Sequence, residues 1–95
     1  MKMTQKAVSM KVTGIVQGVG FRWVAQRIAN QLHLNGFVRN NPDGTVYTEV
    51  VGAEADVNKY IEMISGGPSP SSRVDHVEIH TLNPLPDYKE FKVTF

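Results

Sequence analysis

Gly18 and Gly20 bracket Val19 where an alternating apolar pattern gives way to a helical one, and Arg22 follows two residues later. Glycine tolerates positive φ, which lets successive backbone N–H groups point into one concavity. The first turn of the following helix adds donors without intrahelical partners and the positive end of the helix dipole. Arg22 falls in that turn, and its planar fork of donors suits bidentate phosphate binding. Residues 17–22 are therefore expected to form an oxyanion or phosphate cradle. The competing reading is a strand-to-helix turn with a purely structural role. No Gly-Lys-Ser/Thr follows, so the segment is not a P-loop, and Trp23 stands where a dinucleotide fingerprint needs its third glycine.

Asn40 is the second candidate. It ends a short strand and shares a face with Val38, opposite Arg39. If Val38 faces the helices, so does Asn40. A helix joins this strand to the one before the glycine-rich turn, so the two strands run parallel and end at the same edge of the sheet. With one strand between them, their axes lie about 10 Å apart. An amide there can face an anion in the cradle across a single water. The competing reading is turn chemistry, since asparagine is common beside Pro-Gly turns.

Other polar residues offer less. His76 and His80 share a strand face but stand about 13 Å apart along it, too far to chelate one ion. His33 is near a helix C-terminus, an ordinary place for a surface histidine. No carboxylates cluster as a metal site requires, and the serines of residues 65–72 have no evident base. Trp23 and Tyr47 read as packing or surface aromatics, and Arg39 and Arg73 as solvated charges.

The elements that position these residues follow from periodicity. Val8, Met10 and Val12 alternate with Ser9, Lys11 and Thr13, which predicts a half-buried strand over residues 7–16. Phe21, Val24, Ala25, Ile28 and Leu32 form the stripe of an amphipathic helix, with Gly36 expected to be the left-handed residue after its last turn. Residues 36–40 and 45–51 read as a hairpin around a type I turn, Asn41-Pro42-Asp43-Gly44. Val57, Tyr60, Ile61 and Ile64 mark a second helix, with Glu54 and Asp56 in its first turn. Residues 74–82 form a strand with Val77 and Ile79 inward. Phe91, Val93 and Phe95 alternate in a last short strand. The order predicts an α+β, ferredoxin-like βαββαβ sandwich: an antiparallel sheet with two helices on one face.

Composition narrows the class of function. The 95 residues carry 10 Lys+Arg against 9 Asp+Glu, a net charge of +1, and no cysteine. Zinc-thiolate, iron–sulfur and thiol-nucleophile chemistry are excluded. The near-neutral balance argues against bulk electrostatic capture of nucleic acid or membrane. The same topology serves RNA-recognition domains, which need a Lys/Arg-Gly-Phe/Tyr-x-Phe pattern of aromatics on central strands. Here Met10, Lys11, Val46, Thr48 and Val50 occupy the strands. No nucleic-acid or membrane partner is expected, and the chain is expected to be monomeric and cytoplasmic. Residues 1–10 lack a signal-peptide core. Residues 1–6 are read as a flexible segment ahead of a single domain over 7–95.

Two stretches together resemble the acylphosphatase family. Gly14-Ile15-Val16-Gln17-Gly18-Val19-Gly20-Phe21-Arg22 matches its G-x-V-Q-G-V-x-F-R, and Gly36-Phe37-Val38-Arg39-Asn40 with Gly44, Val46 and Gly52 matches its aromatic-rich strand and hairpin. The resemblance covers essentially the whole chain. It implies metal-independent, cofactor-free hydrolysis of the carboxyl–phosphate bond of acyl phosphates. Carried over, Arg22 and the backbone amides of Gln17, Gly18, Val19, Gly20, Phe21 and Arg22 bind the phosphoryl group, and Asn40 orients the attacking water. The substrate's own phosphate takes the water's proton, so no residue of the usual base types is needed. Asn41 stands where many members have threonine.

Overall fold

The computed structural model describes residues 4–95. Along the chain these form β1 (Gln5–Ile15), α1 (Phe21–Gln31), β2 (Asn35–Asn40), β3 (Val46–Ala53), α2 (Glu54–Ser65), β4 (Arg73–Thr81) and β5 (Phe91–Thr94). The strands assemble into one sheet of order β4-β1-β3-β2-β5. β1 and β2 are each antiparallel to β3, which lies between them, so they run parallel to each other. The sheet is mixed rather than wholly antiparallel, because β5 adds to β2 in parallel.

Both helices cover one face. Val8, Met10 and Val12 of β1, Val38 of β2, and Val46, Thr48 and Val50 of β3 meet Phe21, Ala25 and Ile28 of α1 and Val57, Tyr60 and Ile64 of α2. This is the period-two pattern of three strands packed on the period-3.6 stripes of two helices. Two polar groups inside the core satisfy each other. The Thr48 hydroxyl lies 2.8 Å from the Tyr60 hydroxyl and donates to the Phe37 carbonyl at 2.8 Å. Burial pushes the Tyr60 phenol well above its ordinary pKa.

Several expectations need correction. β1 begins at Gln5, paired with Ala53, so the first strand takes in residues 5 and 6 ahead of the expected start at residue 7; residues 1–3 lie outside the described residues. The left-handed residue after α1 is His33, at φ 57°, not Gly36. His33 N–H bonds the Asn30 carbonyl at 3.2 Å and Leu34 N–H the Ala29 carbonyl at 2.8 Å, the paired closure of a Schellman motif. Gly36 belongs to β2, where a Cβ would stand 1.8 Å from the Glu49 carbonyl oxygen. Ile79 faces the helix side opposite Met10, yet on the edge strand it remains 44% exposed. Phe95 lies beyond β5 and is exposed.

Met10, Val46, Thr48 and Val50, which stand where RNA recognition would need aromatics, lie on the helix-covered face. The other face of the sheet does carry aromatics. Phe37 packs against Tyr47 and Tyr88, with ring centroids 5.9 and 5.8 Å away, and Arg39 stacks 4.8 Å from the Tyr47 ring centre. Arg39 is thus a stacked cation rather than a simply solvated charge. Tyr47 and Tyr88 both donate to Glu49, each at 2.5 Å, which puts a carboxylate among the rings where a phosphate backbone would be repelled. Among the described residues, no helix is long and apolar enough to cross a membrane.

Candidate active site

The loop between β1 and α1 takes its shape from two glycines. Gly18 and Gly20 both have φ 74°, in the left-handed region that residues with a Cβ avoid. A Cβ at either position would meet nothing within 4 Å, so the need for glycine is conformational rather than steric. Gly20 is the N-cap of α1. It brings no capping side chain, and no acidic residue lies in the first turn. The first intrahelical bond runs from Val24 N–H to the Gly20 carbonyl at 3.2 Å. The amides of Gly20, Phe21, Arg22 and Trp23 thus precede the helical ladder. α2 is the contrast: Glu54 and Asp56 occupy its first turn and answer its dipole internally. Of the two helices among the described residues, α1 alone has no acidic residue in its first turn.

A pocket of about 150 Å³ opens at this point, lined by Val16, Gly18, Gly20, Phe21, Arg22, Trp23 and Asn40. Val16 and Phe21 are each 1% exposed and root its floor in the core. Arg22 is held from the far end of the chain: its Nη1 donates to the Thr94 carbonyl at 2.9 Å, and its guanidinium sits 4.6 Å from the centre of the Phe95 ring. The rest of its donor fork has no hydrogen-bond partner among the described residues.

Asn40 reaches the pocket from the end of β2. It pairs with Val46 and shares the helix-facing side with buried Val38. Its Oδ1 is buried and has no hydrogen-bond partner among the described residues. A buried acceptor left unsatisfied costs about 1–3 kcal/mol, so such an atom asks for a water or a ligand.

Gln17 and Val19 do not line the pocket. Val19 packs against the core. The Gln17 side chain donates from Nε2 to the carbonyls of Asn41 and Thr45, both at 2.9 Å, and so ties the cradle loop to the hairpin turn after Asn40. That turn is itself braced. Thr45 donates from N–H and hydroxyl to Asp43, at 3.0 and 2.5 Å, which holds the Asp43 carboxyl below its ordinary pKa. Asn41 Nδ2 donates to the Thr45 hydroxyl at 3.0 Å, within the turn.

Trp23, Thr94 and Phe95 are the neighbours that sequence reasoning missed. The signal for Trp23 was available: a large aromatic beside Arg22 that falls off the apolar stripe of α1. Thr94 and Phe95 reach Arg22 only through the pairing of β5 with β2. A larger depression, about 470 Å³, opens at the other end of β2 and β3, but no arginine or lysine lines it, and its Asn35 already donates to the Tyr88 carbonyl at 3.1 Å. Among the described residues, no three His, Asp or Glu side chains gather where they could hold a metal ion.

A family model described as Acylphosphatase matches residues 8–93. The chain belongs to the acylphosphatase family. It is 44% identical over 90 residues to an acylphosphatase of Lactobacillus gasseri, covering 95% of this chain and 99% of that one. The crystal structure of the Bacillus subtilis acylphosphatase superimposes with a TM-score of 0.90 at 31% identity, covering 95% and 99% of the two chains. The same fold recurs in full-length HypF, solved in a phosphate- and nucleotide-bound form, at a TM-score of 0.90 and 35% identity; there the match covers all of this chain and 12% of the other. The activity of this acylphosphatase is the hydrolysis of acyl phosphates.

Proposed function

We propose that the Gln17–Arg22 loop and the Arg22 guanidinium hold the phosphoryl group of an acyl phosphate while Asn40 orients the attacking water, without a metal ion. The carrying observation is that Arg22 and Asn40, whose buried Oδ1 has no hydrogen-bond partner among the described residues, line one small pocket. Oδ1 accepts one hydrogen of a water and turns a lone pair of that water toward phosphorus. The water oxygen bonds to phosphorus, the bond from phosphorus to the acyl oxygen breaks, and the carboxylate departs. The water's proton passes to a phosphoryl oxygen, so the products are a carboxylate and orthophosphate. The pocket lining contains no histidine, carboxylate or other base. None is needed where the leaving group is a carboxylate and the reaction asks chiefly for positioning and charge stabilisation. Cradle amides and Arg22 serve that second need, aimed at oxygens whose charge redistributes in the transition state.

The test is benzoyl phosphate hydrolysis in excess chelator. The wild type keeps its rate, and Arg22→Ala loses about 10²-fold or more, the usual cost of a deleted transition-state donor. Unchanged activity in Arg22→Ala, or loss of wild-type activity on chelation, overturns the assignment.

A further inference from the structure

The pocket that receives the phosphoryl group is small. Its volume of about 150 Å³ falls below the roughly 300–1,000 Å³ of sites that enclose a whole small molecule. An acyl phosphate seated there by its phosphoryl end leaves its acyl group outside. In-line displacement puts the acyl oxygen across phosphorus from the water at Asn40, so the acyl chain leaves toward the rim.

That rim has an aromatic wall. Trp23 lines the pocket yet is 56% exposed, an unusual position for the largest apolar side chain in a 95-residue domain. It stands in the first turn of α1, while the residues that fasten the helix to the core are Phe21, Ala25, Ile28 and Ala29. Trp23 therefore contributes little to the core. Phe95 backs it, with ring centroids 6.3 Å apart at an interplanar angle of 55°, and is itself 91% exposed. Two exposed aromatic rings thus adjoin the one cation of the pocket, and Phe95 touches both Arg22 and Trp23.

We propose that Trp23, supported by Phe95, is the acyl-side wall of the site, the residue through which it discriminates aromatic or large apolar acyl groups from small ones. The proposal rests on the phosphoryl assignment above. A phenyl ring laid on the exposed indole buries apolar area and gains offset or edge-to-face contact; an acetyl group has too little surface to do either.

The experiment compares kcat/KM for benzoyl phosphate and acetyl phosphate in the wild type, Trp23→Ala and Trp23→Phe. The ratio of the two is internal to each preparation, so a partly unfolded variant does not change it. In Trp23→Ala the benzoyl-to-acetyl ratio is expected to fall about tenfold, mainly through a higher KM for benzoyl phosphate. Trp23→Phe, which keeps an aromatic face, is expected to retain most of the wild-type ratio. A ratio in Trp23→Ala within about twofold of wild type, with both substrates hydrolysed, overturns the wall and leaves the phosphoryl assignment standing. A wild type that hydrolyses neither substrate overturns that assignment and the wall with it.

Discussion

Arg22 is set before a substrate arrives. A bond from Nη1 to the Thr94 carbonyl and the Phe95 ring beside the guanidinium fix its plane, and its remaining donors have no partner among the described residues. A hydrogen bond with a charged partner contributes about 1.5–3 kcal/mol, enough to select one rotamer of a long side chain. Lysine keeps the charge but not the fork, and one ammonium cannot both hold Thr94 and grip two phosphoryl oxygens. Arg22→Lys is therefore expected to lose about 10²-fold in kcat/KM for benzoyl phosphate, close to Arg22→Ala; steady-state kinetics decide it, and near-wild-type activity would refute the need for a fork. Arg22 and Asn40 were legible because each sits in a local pattern of fixed spacing. The groups that hold Arg22 were not. Thr94 is 72 residues away in sequence, and no periodicity reports a contact made by strand pairing at the far end of the chain.

At the scale of elements, the cradle depends on two left-handed residues in a row of three. Replacing Gly20 by alanine keeps the space free but charges the backbone about 1–2 kcal/mol for its φ of 74°. The chain can relieve that strain by rotating the peptide, which turns an amide out of the concavity. Gly20→Ala is expected to lower unfolding free energy by about 1 kcal/mol in denaturant titration and to lower kcat/KM by a larger factor than that loss of folded protein explains. Stability loss with unaltered kinetics would mean that the loop amides do not contribute. Element reading succeeded where period and turn chemistry agree, as in both helices and in the Asn41–Gly44 turn, closed by Gly44 N–H on the Asn41 carbonyl at 3.2 Å. It failed where a residue did another's usual work. His33 took the left-handed position after α1, and Gly36 was reserved for the close approach of β3. Alternation also identifies a face without saying what covers it, which is why Ile79, read as inward, is 44% exposed.

For the molecule as a whole, the topology does the assembling. With β3 antiparallel between them, β1 and β2 end at one edge of the sheet and bring the cradle and Asn40 together; Gln17 then ties the two loops. The uncovered face is held by a separate network whose pH dependence can be read. Burial, with the Glu49 carboxylate beside it, pushes the Tyr88 phenol up to about 12, and burial likewise raises Tyr47. The folded state thus favours the neutral phenol that donates to Glu49. Its contribution is whole below the ordinary tyrosine pKa near 10 and is lost as pH rises from about 10 to about 12. Thermal melts should show Tm falling across that window, with a smaller fall in Tyr88→Phe; an identical fall in the variant would assign the loss elsewhere. This network was illegible in sequence, since Phe37, Tyr47, Glu49 and Tyr88 come from two strands and a loop and meet only once the register is set.

If the cradle holds the phosphoryl group and the amide holds the water, Asn40→Ala separates the two. Benzoyl phosphate turnover is followed beside competitive inhibition by orthophosphate in the same protein. In Asn40→Ala, kcat is expected to fall by about 10² or more while the inhibition constant for orthophosphate stays within a few-fold of wild type. Retained kcat with weakened orthophosphate binding would mean instead that Asn40 holds the phosphoryl group rather than the water.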